Sequence, residues 1–185
     1  MTAETVLLIS GSLRAASTNS AVIRTAAALV GADAKAHVYT ELGALPHFDP
    51  DVEAVQPPEI VNELRRAIDA SSAMLICTPE YAGSLPGTFK NLLDWTIGGN
   101  EVAGKPTAWI NASGNATKAA GAHAMLRTVL TYTGANIVEE ACRHIPIGRA
   151  DIGPDGEVAT QARRDEIQEA FQALLTFSRT TVQEL

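Results

Sequence analysis

The sequence predicts an α/β protein: a parallel sheet with helices packed on both faces. Three observations predict it. Apolar runs and helical patterns alternate five times along a chain of 185 residues. Runs such as residues 6–10 and 73–78 are apolar almost throughout, as strands buried on both faces require. The loops leaving the first, third and fourth runs are rich in small or polar groups, and the carboxyl ends of parallel strands are where such folds bind ligands. The length suits one domain spanning residues 1–185, with no repeat, linker or low-complexity segment.

Each element follows from local pattern. Residues 6–10 (Val-Leu-Leu-Ile-Ser) read as the first strand. A helix over 19–31 follows from Ala21, Val22, Ile23, Ala26 and Leu29. His37, Val38 and Tyr39 make a short second strand. Residues 41–58 hold Pro46, Pro50, Pro57 and Pro58 with Asp49 and Asp51, and read as a long ordered loop whose aspartates serve turns, bordering the site or not. Pro58 suits the opening of the next helix, where Ile60, Val61, Leu64, Ala67 and Ile68 recur at helical spacing. Residues 73–78 are the third strand. A helix through Phe89, Leu92, Leu93, Trp95 and Ile97 then stops at Gly98-Gly99, with Trp95 assigned to the core or a subunit contact. Residues 106–111 are the fourth strand, 119–133 a helix stopped by Gly134, and 135–141 the fifth strand. Asp155-Gly156 marks a turn, and an amphipathic helix carrying Ile167, Ala170, Phe171, Leu174, Leu175 and Phe177 closes the chain.

Bulk properties exclude several functions. A net charge of −7 argues against general nucleic-acid binding and against an anionic membrane surface. No apolar run is long enough to span a bilayer, and no basic segment precedes an apolar one near Glu4, so a cytoplasmic protein is expected. Cys77 and Cys142 lack metal or redox spacing and read as buried thiols. His37, His47, His123 and His144 show no ligand spacing, so no metal is expected. Gly11-Ser12-Leu13 is not G-x-S-x-G, which removes the usual sequence signature of a serine hydrolase.

The first loop carries the chemistry. From the end of the first strand into the start of its helix run Ser12, Arg14, Ser17, Thr18, Asn19 and Ser20. One helix cap needs one such side chain; this loop offers several hydroxyls and a guanidinium at a helix N-terminus, the usual cradle for a phosphate. It lacks both G-x-x-x-x-G-K-[ST] and G-x-G-x-x-G, so a phosphate monoester fits better than a nucleoside triphosphate or a dinucleotide. With strand order 2-1-3-4-5, loops 10–19, 78–87 and 111–115 form one rim, suited to a planar ring with a phosphorylated tail.

At this point the chain resembles a family. Gly11-Ser12-Leu13-Arg14 with Ser17 and Asn19, then Pro79-Glu80-Tyr81 with Pro86-Gly87 and Phe89-Lys90-Asn91-Leu92-Leu93-Asp94-Trp95, then Gly104-Lys105-Pro106, are similar to the signatures of NAD(P)H-dependent FMN reductases. The resemblance covers nearly the whole chain. It implies a flavodoxin-like three-layer sandwich with a five-stranded parallel sheet, non-covalent FMN, and a homodimer or homotetramer. It implies that Ser12, Arg14, Ser17, Thr18 and Asn19 hold the phosphate, that Pro79, Glu80, Tyr81, Ala82 and Gly83 line the flavin ring, and that Ser113 approaches from the fourth strand's loop. The flavin N5 would carry hydride from NAD(P)H to a small-molecule acceptor (a quinone, azo compound, metal oxyanion or second flavin), with no protein acid or nucleophile needed. Neither the acceptor nor the choice of NADH or NADPH follows. Glu80 is equally suited to capping the helix that follows or to orienting an arginine of a neighbouring subunit; Tyr81 could pack in its turn, but its place at a strand's carboxyl end favours a ligand contact. Many relatives have Asn where this chain has Ala82, a departure that removes a side chain from the substrate side. The alternatives are a flavodoxin-type electron carrier and a non-flavin enzyme binding a phosphate ester on the same fold.

Overall fold

The computed structural model describes residues 4–32, 34–115 and 117–183. Five strands pair in parallel in the order β2-β1-β3-β4-β5: β1 (Glu4–Ser10), β2 (Ala34–Tyr39), β3 (Ala73–Cys77), β4 (Pro106–Asn111) and β5 (Asn136–Ile137). The helices are α1 (Thr18–Ala28), α2 (Pro50–Val55), α3 (Glu59–Asp69), α4 (Gly87–Asp94), α5 (Ala120–Tyr132) and α6 (Gln161–Gln183).

Alternation along each strand sorts side chains between two cores. Val6, Leu8, Leu75, Cys77, Ala108 and Ile110 pack on one face with α1 and α6, against Val22, Phe171 and Leu174. Leu7, Ile9, Met74, Ile76 and Trp109 pack on the other, against Leu64, Phe89, Leu92, Trp95 and Leu126. This double burial is why the strands read as unbroken apolar runs.

Three elements differ from the sequence reading. The Pro-rich stretch 41–58 contains a helix, α2, because Asp49 caps it and Pro50 sits at its first position; the Asp49 carboxylate accepts the Asp51 N–H at 2.9 Å. The stretch is tied down by Pro46, whose carbonyl accepts from Asn91 Nδ2 and from Trp95 Nε1, each at 2.8 Å. Trp95 itself is fully buried. Helix α4 ends at Asp94, short of the diglycine, because Thr96 and Ile97 turn more tightly onto Leu93 and Asp94. The fifth strand is broken. After Ile137 the charged pair Glu139-Glu140 swings out in a short 3-10 turn (Glu139–Ala141), and the chain returns as β6 (Arg143–His144), which pairs with Ile110 and Asn111 of β4. Two adjacent carboxylates do not fit a strand interior, and here both are exposed in the turn. Cys142 is half-buried, not fully enclosed like Cys77.

Candidate functional site

Two loops meet where β1 and β3 end. Gly11 sits so close to β3 that a Cβ there would lie 2.2 Å from Thr78 Oγ1, and its N–H donates to the Cys77 carbonyl at 2.9 Å. Only a residue without a side chain lets the first loop leave the sheet at this height. Ser17 then caps α1: its Oγ accepts the Asn19 N–H at 3.2 Å. Asn19 is 8% exposed, and its Oδ1 accepts the Cys77 thiol at 3.3 Å, which pins the helix start to β3. Burial pushes the Cys77 thiol well above its ordinary range and the Cys142 thiol up to about 11, so neither is a thiolate nucleophile at neutral pH.

The loop after β3 ends in a two-residue hairpin. Tyr81 and Ser84 exchange backbone hydrogen bonds of 3.0 and 3.1 Å around Ala82 (φ +51°) and Gly83 (φ +74°). Positive φ at both central residues is the type I′ turn, which favours Asn-Gly. The Ala82 position asks for a left-handed backbone, which Asn tolerates better than Ala. Tyr81 stands half exposed beside it.

The loop after β4 is scaffolded by side chains. Asn111 accepts the Ser113 N–H at 3.0 Å and donates to the Lys118 carbonyl at 3.2 Å; Ser113 Oγ donates to the same carbonyl at 2.7 Å. Histidines hold both ends: His144 Nε2 lies 2.9 Å from the Ser113 carbonyl, and His123 Nδ1 lies 2.7 Å from that of Ala119. Burial holds His123 below the ordinary histidine range, outweighing the opposite pull of the Ala119 carbonyl.

These loops enclose a cleft of about 350 Å³, lined by Thr18 and Asn19 from α1, by Thr78, Pro79 and Glu80, and by Asn111, Ala112, Ser113, Lys118 and Ala119. The cleft thus joins five of the residues expected from the sequence. Ser12 and Arg14 lie elsewhere, in a second depression of about 260 Å³ on the β2 side of the first loop, with Ser10, Ser20 and Thr40. Ser17 is buried as a cap, while Tyr81, Ala82 and Gly83 form the turn beside the cleft. Glu80 does not cap the following helix, α4; its Oε2 accepts the Ala122 N–H of α5 at 2.9 Å. Lys118, Ala119, His123 and His144 were not singled out from sequence as site residues. Lys118 alone carried a signal, as a cation in a polar loop at a strand's carboxyl end. Among the described residues no three His, Cys, Asp or Glu side chains gather as a metal site, and no helix is long and apolar enough to cross a membrane.

A parallel sheet of this order, with a polar cleft beyond the ends of β1, β3 and β4, defines the flavodoxin-like class. Residues 5–149 match the family model described as NADPH-dependent FMN reductase, and the chain belongs to that family. It is 32% identical to an NAD(P)H-dependent FMN reductase of Pseudomonas aeruginosa over 94% of this chain and 95% of the other. It is 30% identical to a 2-hydroxy-1,4-benzoquinone reductase of a Burkholderia species, over 88% of this chain and 90% of that one. The solved structure of FerB, a flavoenzyme NAD(P)H:(acceptor) oxidoreductase from Paracoccus denitrificans, superposes with a TM-score of 0.83 at 31% identity, covering 96% of this chain and 98% of the other. The protein is therefore an NAD(P)H-dependent oxidoreductase whose cofactor is FMN.

Proposed function

We propose that the cleft holds FMN with its phosphate at the first loop and its ring between the β3 and β4 loops, and that electrons from NAD(P)H leave to a quinone. The observation that carries this reading is the junction of α1's N-terminus with two small-residue loops in one cleft. The donor set fits the group. Thr18 lines the cleft, and its hydroxyl with the first-turn amides of α1 suits a phosphate; Ser12 and Arg14, on the same loop but in the second depression, would have to turn toward it. Arg14 makes no ion pair among the described residues, so its charge is available. Pro79 and Glu80 line the cleft from the β3 loop and Ser113 from the β4 loop, with the Tyr81, Ala82 and Gly83 turn beside them, a set that suits a planar ring. A Cβ at Gly83 or Gly114 would meet nothing within 4 Å, so neither loop is packed against a neighbour at these positions.

Bound FMN supplies the two-electron chemistry, and the chain's own residues bind, orient and shield it. Backbone N–H groups of the β3 and β4 loops favour negative charge near the ring, and Lys118 adds a cationic side chain to the cleft lining. The name of the Burkholderia relative, a 2-hydroxy-1,4-benzoquinone reductase, supports a quinone-type acceptor. A cytoplasmic homodimer or homotetramer belongs to the same reading, supported by Met125 and Tyr132 exposed on α5. The test is an anaerobic spectrum. Purified protein loaded with FMN bleaches on addition of NADH or NADPH and recovers its yellow colour with a benzoquinone. Flavin that stays oxidised would point to an electron carrier instead.

A further inference from the structure

We propose that Glu80 is a positioning residue: its carboxylate fastens the β3 loop to the first turn of α5 and so sets the separation of the two walls of the cleft. The inference rests on the cleft being the FMN site. Helix α5 starts without a cap of its own. Ala119, at φ +62°, has no side chain to offer the first N–H groups, which lack partners inside the helix. The acceptor comes instead from the neighbouring loop, as Glu80 Oε2 takes the Ala122 N–H at 2.9 Å. A carboxylate at this end of a helix also meets the positive pole of its dipole.

The fit around this bond is tight. A Cβ on Gly121 would lie 2.5 Å from the Gly83 carbonyl oxygen and 2.9 Å from Glu80 Oε2, so α5 and the Tyr81–Ser84 hairpin touch backbone to backbone. One turn on, His123 is 8% exposed and binds the Ala119 carbonyl through Nδ1 at 2.7 Å, while its Nε2 is buried without a partner among the described residues. With Nδ1 donating, the ring is a neutral clamp on the peptide that begins the helix. Glu80 and Ala119 both line the cleft. The wall built by the β3 loop and the wall built by the β4 loop are therefore joined by a side-chain bond that belongs to neither strand ladder.

The test compares Glu80→Gln with Glu80→Asp and Glu80→Ala by two readouts: the FMN dissociation constant, and the hydrogen-exchange rate of the Ala122 amide in flavin-free protein. Gln has the same reach and keeps an oxygen for the N–H, so both values stay within about threefold of the original. Asp keeps the charge but loses the reach, and Ala loses both; each weakens FMN binding and speeds exchange by about tenfold. Gly121→Ala, which pushes the loop away while leaving the carboxylate intact, has the same effect, and combined with Glu80→Ala it adds little. Unchanged exchange at Ala122 in Glu80→Ala, or Glu80→Gln as impaired as Glu80→Ala, would overturn the proposal. Should the original protein take up no FMN, the reading of the cleft fails, while the exchange rates still decide the coupling.

Discussion

Ala82 pays for its place in the hairpin. A non-glycine residue in the left-handed region costs about 1–2 kcal/mol, and Asn recovers part of that by bonding locally. Ala82→Asn is expected to stabilise the protein by about 1 kcal/mol, read as a higher urea midpoint with unchanged slope. No change would mean that the turn relaxes freely around Ala. His123 is a second residue whose environment makes a measurable claim. Its pKa is lowered in the folded protein by burial, so the unfolded chain binds a proton more readily. Stability is present above the unfolded value of about 6.5 and declines as pH falls through the lower folded value. Urea midpoints at pH 7.5 and pH 5.5 are expected to differ less in His123→Gln than in the original chain. An equal difference would place the acid sensitivity elsewhere.

At the scale of elements, the junction between the first loop and β3 depends on Gly11. A methyl group there would overlap the Thr78 hydroxyl, so β1 and β3 must part or the loop must lift. Gly11→Ala is expected to cost about 1–3 kcal/mol and to weaken FMN binding in the same titration. Retained stability and affinity would show that the loop has slack. The elements also show what a sequence reveals. Strands buried on both faces were legible from their apolar runs, and α1 from its hydroxyl-rich start. Helix α2 was hidden because Pro50 reads as a breaker until Asp49 is recognised as its cap. The break after Ile137 was hidden because pattern alone does not show that Glu139-Glu140 leaves the sheet in an exposed turn. Glu80's partner was illegible for another reason: Ala122 lies on a different element, and only the packed fold brings the two together.

Across the whole molecule, two apolar layers hold the sheet while the polar work gathers at the carboxyl ends of β1, β3 and β4. The chain carries a net charge of −7, so the proposed FMN site has to hold its anion by local donors against the overall field. The proposed site draws those donors from the first loop, so the proposal stands or falls with that loop's grip of the phosphate. Titrating flavin-free protein with FMN and with riboflavin, which lacks the phosphate, tests this most directly. Two or more charge-assisted hydrogen bonds predict FMN binding tighter by about a hundredfold or more. Equal affinity for the two flavins would contradict the account.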